Sequence, residues 1–287
     1  MIISDKWNDY EILDMANGEK LERWGNIILI RPDPQIIWKD KSKPALWKKA
    51  NAHYHRSKSG GGEWEYIKNV PKAWQIKYKN LTFNLKPMGF KHTGLFPEQA
   101  VNWDFMMNKI KNANRPIKVL NLFAYTGGAT VACAAAGASV CHVDSSKGMT
   151  AWAKENFAYY GLADRPVRFI IDDVIKFVQR EIRRGNKSDA IVMDPPSYGR
   201  GANGEVWNIE ESLYTLVELC KEVLSDKPLF FLINSYTTGL SPTILANILK
   251  MTIKKKGKVI CGEVGLPMKD SDYILPCGIF GRWESID

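Results

Sequence analysis

The chain has 287 residues, of which 45% are hydrophobic and 25% charged, with a net charge of +9. That composition excludes collagen-like and disordered chains, and the length suits one main core with a smaller module appended. The apolar runs 27–30, 190–193 and 229–233 are strand-sized, so no membrane span is expected, and the N-terminus lacks the basic flank and apolar stretch of a secretory signal. A cytoplasmic protein is the resulting expectation.

In chain order, residues 10 to 85 read as short β segments punctuated by turn signals. These are Asn17-Gly18, Trp24-Gly25-Asn26, Asp33-Pro34, Ser59-Gly60-Gly61-Gly62 and Lys79-Asn80. This predicts a β-rich accessory or substrate module over 1–88. Between Lys39 and Lys91 it carries thirteen Lys/Arg against three acids, Asp40, Glu63 and Glu65. Trp38, Trp47, Tyr54, Trp64, Tyr66, Trp74, Tyr78, Phe83 and Phe90 fall in or beside the same stretch. Cations neutralise phosphates and rings stack on bases, so 39–91 is a candidate RNA-contacting stretch. Strands that alternate aromatic-in with lysine-out generate the same pattern, and this reading stands beside the first. His53-x-His55 has the spacing to ligate zinc but no neighbouring Cys or third ligand, so two surface histidines, and no metal, are expected. Five well-separated cysteines with no C-x-x-C pair argue against a disulfide framework.

A helix is predicted from Pro97, with Ala100, Trp103, Asp104, Met107 and Ile110 on one face. After Arg115-Pro116 the chain alternates strand and helix with short links. Strands are predicted at 118–123, 139–144, 167–171, 189–194, 229–234, 259–264 and 273–281, and helices at 128–136, 147–160, 173–183, 210–224 and 242–255. Alternation of this kind makes an α/β fold, a parallel sheet covered on both faces. The last two strands are too close for a parallel crossover and are expected to be antiparallel. The second domain is therefore 89–287.

In such sheets ligands bind at the carboxyl ends of the strands, so what stands there matters most. The first strand breaks into Ala124-Tyr125-Thr126-Gly127-Gly128, where paired glycines permit close backbone approach and Thr126 offers a hydroxyl at a helix N-terminus. The full G-x-G-x-x-G of dinucleotide sites is missing, which disfavours an NAD-dependent oxidoreductase. The second strand ends in Asp144, an acceptor for ribose hydroxyls, and the third in Asp172-Asp173, placed to receive an exocyclic adenine amine. Together these describe a pocket for an adenosine without phosphates; the competing reading is that Asp144 and Asp173 cap helices. The fourth strand ends Asp194-Pro195-Pro196-Ser197-Tyr198. Two prolines fix an extended corner that aims Asp194 and the Pro195 carbonyl at an N–H group, with Tyr198 available to stack on a base. Asn234, at the end of the fifth strand, is placed on the same rim.

The motifs 120–128, Asp144, Asp172-Asp173 and 194–198 resemble those of the class I S-adenosylmethionine-dependent methyltransferases. They are most similar to the branch acting on bases of large-subunit ribosomal RNA, and 90–99 is similar to its entry segment. The resemblance covers about 85–285. It implies a Rossmann-like class I methyltransferase sheet with a terminal antiparallel strand, S-adenosyl-L-methionine as cofactor, and ribosomal RNA as partner. By it, Tyr125 to Gly128 hold the methionine end, Asp144 the ribose and Asp173 the adenine, while Gln99 reaches the methionine end from the preceding helix. Cytosine-C5 members carry a nucleophilic cysteine just after the fifth strand, where this chain reads Asn234-Ser235-Tyr236-Thr237. A nitrogen acceptor is therefore expected. The cofactor motifs alone also admit a small-molecule or protein acceptor, or a non-catalytic S-adenosylmethionine-binding module.

Overall fold

The computed structural model describes residues 1–57, 61–162, 164–201 and 204–286. Lys58, Ser59 and Gly60 of the sequence reading lie outside the described residues. The chain packs into two compact units, one of Ile3–Ala100 with Gly265–Cys277, the other of Met1–Ile2, Val101–Val264 and Gly278–Asp287. The first unit is thus discontinuous in sequence, which a single boundary at 88/89 does not describe.

After the two-residue strand β1 (Ile2–Ile3), the N-terminal unit opens with a meander of β2 (Tyr10–Ala16), β3 (Glu19–Trp24) and β4 (Ile27–Pro32). The one-turn helix α1 (Pro44–Trp47) intervenes before β5 (Ala52–Arg56) and β6 (Gly62–Tyr66). These strands form a sheet in the order β2-β3-β4-β5-β6, and β7 (Trp74–Tyr78) and β8 (Leu81–Leu85) form a separate hairpin. Two buried carboxylates organise the unit. Asp14 accepts from the backbone N–H of Met15, Ser42 and Lys43 and from Trp47 Nε1. Glu22 accepts from Tyr10 Oη at 2.6 Å and from Nε and Nη2 of Arg31 at 2.6 and 2.9 Å. The guanidinium of Arg31 holds the Glu22 carboxyl down at about 2 against the opposing effect of burial.

Most of the aromatic rings of the basic stretch are core. Trp47, Tyr54, Tyr78 and Phe83 are buried, and Trp64 and Trp74 donate their indole N–H to the carbonyls of Met88 and Trp24. Strand alternation therefore explains the five on strands, the packing of α1 explains Trp47, and Trp38, Tyr66 and Phe90 are the rings left exposed.

The second unit begins with α2 (Ala100–Asn112), entered through a 3-10 turn at Pro97–Gln99. It continues as β9 (Lys118–Leu122), α3 (Gly128–Ala135), β10 (Ser139–Asp144), α4 (Lys147–Tyr159), β11 (Val167–Ile171), α5 (Val174–Arg184) and β12 (Ala190–Met193). A short hairpin absent from the sequence reading, β13 (Tyr198–Arg200) with β14 (Val206–Asn208), precedes α6 (Ile209–Glu222) and β15 (Phe230–Ser235). Then come α7 (Pro242–Thr252), β16 (Gly257–Pro267) and β17 (Ile274–Ser285).

The sheet order is β1-β16-β17-β15-β12-β9-β10-β11, with β9 to β12 and β15 parallel and β17 antiparallel to β15. The predicted Rossmann-like sheet with an antiparallel terminal strand is what forms. Leu120, Leu122, Val143, Ile191, Met193, Phe231 and Ile233 build a core with α5, α6 and α7 on one face. No helix among the described residues is long and apolar enough to cross a membrane.

Candidate active site

Strand order reverses between β9 and β12, since the chain runs outward from β9 to β10 and β11 and then returns to the other side. In doubly wound sheets ligands bind at the carboxyl ends of the strands beside such a reversal. The parallel registers set those ends level. Leu122 pairs with Val143 and Met193, Met193 with Ile233, and Asp144 with Ile171. The next residues, Asn234, Asp194, Phe123 and Asp144, therefore form one row along the rim.

The turn after β9 is backbone-strained and braced. Phe123 and Tyr125 have φ of 53° and 52°, in a region aromatic side chains rarely adopt. What holds Tyr125 there is Asp144, whose Oδ2 accepts from the Tyr125 N–H at 2.8 Å while Oδ1 accepts from the Ser146 N–H at 2.8 Å. Ala124 N–H donates to the Val143 carbonyl at 3.1 Å. Asp144 does not cap α4; Ser146 does, through its hydroxyl to Met149 N–H. With one bond on each oxygen, the Asp144 carboxylate keeps lone pairs for two further donors, the number a ribose diol presents. Burial raises its pKa, partly offset by the two backbone N–H groups.

Gly127 and Gly128 serve packing as much as approach. A Cβ on Gly127 would come 3.0 Å from the Ala153 Cβ of α4, and one on Gly128 would come 3.0 Å from Cζ2 of Trp103 in α2. Gly127 also has φ +82°. Thr126 is buried and its carbonyl accepts from Asn156 Nδ2 at 2.8 Å. Beneath the turn lies a group that sequence reading missed. Asn121 and His142 are cross-strand neighbours and both meet Thr130 Oγ1, at 3.0 and 2.8 Å. Burial pushes the His142 pKa down to about 3, so the ring is neutral. The available signal was a lone polar residue inside each of two otherwise apolar strands.

The acids after β11 are differently employed. Asp173 caps α5, its Oδ1 accepting from Lys176 N–H at 2.9 Å, so the capping reading holds for that oxygen. Asp172 pairs with Arg180 and also accepts from Asp173 N–H.

The corner after β12 is fixed from several sides. Trp207 of β14 donates Nε1–H to the Pro196 carbonyl at 2.7 Å, Ile209 N–H donates to the Ser197 carbonyl, and the hydroxyls of Ser197 and Thr237 lie 2.7 Å apart. Pro195 is buried and Asp194 half-buried. Tyr198 is 56% exposed, and its hydroxyl accepts from Arg200 Nε at 3.0 Å, so the ring presents a face to solvent at the corner. The hairpin β13–β14 is the brace that sequence reading did not anticipate. Asn234 stands in the row; the residue is 4% exposed and its Oδ1 accepts from Asn102 Nδ2 at 3.0 Å. Gln99 is buried and belongs to the N-terminal unit.

All five cysteines are free thiols. Burial pushes Cys133 and Cys141 up to about 12 and about 11 and raises Cys220 and Cys277, so none of these four is a thiolate at neutral pH.

Comparison with known proteins agrees with this geometry. The model of the S-adenosylmethionine-dependent methyltransferase family matches residues 47–240. A crystal structure described as the SAM-dependent methyltransferase from Agrobacterium tumefaciens is 36% identical, with a TM-score of 0.94 over 99% of this chain and 92% of that one. Ribosomal RNA large subunit methyltransferase K/L of Shewanella sp. (strain W3-18-1) is 32% identical over 204 residues, 70% of this chain and 26% of that protein. The same-named protein of Shewanella frigidimarina is 37% identical over 130 residues, 45% of this chain and 17% of that protein. The chain thus spans about a quarter or less of the length of these curated relatives. Its rim chemistry, its sheet and its family match coincide: the chain belongs to the S-adenosylmethionine-dependent methyltransferases.

Proposed function

We propose that the acceptor is a nitrogen of a base in ribosomal RNA, and that the protein therefore works in the cytoplasm. The observation that carries this reading is the corner after β12, where an aspartate, a proline carbonyl and an exposed aromatic ring stand together beside the cofactor rim. The names of the K/L relatives support an RNA acceptor. Exposed Lys39, Lys41, Lys48, Lys49, Arg56, Lys68, Lys72, Lys77 and Lys79 give the N-terminal unit a cationic surface suited to phosphates.

S-adenosylmethionine supplies an electrophilic methyl on a sulfonium, whose sulfur keeps the bonding pair when the methyl leaves. Asp144 would hold the ribose, and the Tyr125–Gly128 turn the methionine end, Asp173 accepting from the adenine amine through the oxygen that does not cap α5. Asp194 and the Pro195 carbonyl accept hydrogen bonds from the acceptor amine, which localises its lone pair for attack. Tyr198, steadied by Arg200, stacks on the base. The acceptor nitrogen loses a proton once methylated, and the Asp194 carboxylate is the neighbouring acceptor. Catalysis here is positioning and electrostatics. A base taken from a duplex must be unstacked first, which favours a loop or single strand.

The deciding experiment is mass spectrometry of ribosomal RNA from cells with and without the gene. Loss of a single methylated base identifies acceptor and atom; an unchanged RNA together with a methylated metabolite or protein assigns the other acceptor class. In vitro, Asp194→Ala is expected to abolish methyl transfer to that RNA while leaving S-adenosylmethionine binding within a few fold of wild type.

A further inference from the structure

The sheet of the N-terminal unit carries a side-chain group that methyl transfer does not use. His53 and His55 are two residues apart on β5, so both project from one face while the intervening Tyr54 is buried on the other. Their rings lie 4.0 Å apart, centroid to centroid. The antiparallel partner β6 sets Glu65 opposite His53 and Glu63 opposite His55. Glu65 Oε2 comes to 2.6 Å from Nε2 of His55, and Glu19 of β3 puts Oε1 2.5 Å from Nε2 of His53. One ligand atom from each of His53, His55 and Glu65 lies within 4.8 Å of the others.

We propose that His53, His55 and Glu65 bind a divalent transition-metal cation of the zinc class, with Glu19 holding the His53 ring. Two imidazoles and a carboxylate are a zinc donor set, and bonds of about 2.0–2.1 Å in a tetrahedral site put ligand atoms roughly 3.3 Å apart. Closing the group to that spacing needs shifts of about an ångström in side chains that are partly exposed and able to make them. A carboxylate against the second nitrogen of a ligand histidine is the usual means of orienting its ring. Charge placement points the same way. Of the three acids within the strongly basic 39–91 stretch, two face the histidines across the strand pair. β6 is the edge of its sheet, so a bound cation would tie that edge to β5.

The test uses the untagged full chain, stripped with chelator and titrated with zinc chloride by calorimetry, with bound metal counted by elemental analysis after dialysis. One equivalent is expected, together with a rise in Tm that zinc induces. His53→Ala with His55→Ala is expected to weaken binding at least tenfold and to remove the Tm response, with S-adenosylmethionine affinity unchanged. Glu65→Gln, which keeps size and leaves both rings in place, is expected to weaken zinc binding at least tenfold and serves if the double variant misfolds. Absence of zinc binding by the wild-type chain overturns the proposal. So does undiminished binding by these variants, which would place the cation elsewhere, for example at the exposed Cys261.

Discussion

Asp14 and Glu22 of the N-terminal unit and Asp144 of the second unit are carboxylates put to opposite uses. In the N-terminal unit Asp14 has four N–H donors and Glu22 is gripped by Arg31 and Tyr10, so both are saturated and closed. In the methyltransferase unit Asp144 receives one backbone N–H on each oxygen and stays half-buried on an open rim. A saturated carboxylate is a fastening, since removing it strands its donors. A half-used one is fixed in orientation by its existing bonds and keeps capacity for a guest, which is the condition for binding without reorganisation.

That contrast makes graded claims. The largest effect is expected from Glu22→Gln, which leaves the buried Arg31 guanidinium uncompensated and should cost about 3–5 kcal/mol in denaturant unfolding. The wild-type contribution has a definite pH window. The Glu22 carboxyl is depressed when folded, so its stabilisation is complete above the ordinary glutamate range and is lost as pH falls through about 2. The acid limb of the stability profile should therefore be shallower in the variant. Next comes Asp144→Ala, expected to weaken S-adenosylmethionine binding roughly ten- to hundredfold in calorimetry, the worth of charged hydrogen bonds to the ribose. The smallest effect is expected from Asp173→Ala, a loss of about 1 kcal/mol of stability from the α5 cap. If its cofactor affinity also falls tenfold, Asp173 binds adenine as well as capping; if affinity holds, capping is its whole role.

The methyltransferase unit was legible because its strands are mostly apolar runs bounded by turn residues. β10 and β11 begin and end where periodicity puts them, and the acids at their ends follow. What the sequence hid depends on pairing across space. The three-residue strands β13 and β14 are too short for any periodicity. Asn234 reads as a rim residue, and its bond to Asn102, 132 positions away, leaves no mark in the sequence. Tyr125 looks like an ordinary loop aromatic until its positive φ and its bond to Asp144 are seen together. The third donor beside His53 and His55 comes from strand register, which residue spacing along one strand cannot reveal. In the basic stretch, alternation hid which rings would be core, and seven of the nine are accounted for by packing or an internal hydrogen bond.

The N-terminal unit includes Gly265–Cys277, whose backbone meets it through Ser4 N–H to the Gly265 carbonyl and Lys269 N–H to the Ile12 carbonyl. During synthesis its first hundred residues must therefore wait for a segment made much later, a delay on the order of ten seconds at ordinary translation rates. Until the ribosome delivers that segment the unit is incomplete and needs protection from premature association, and a fragment cut near residue 100 would inherit the same defect permanently.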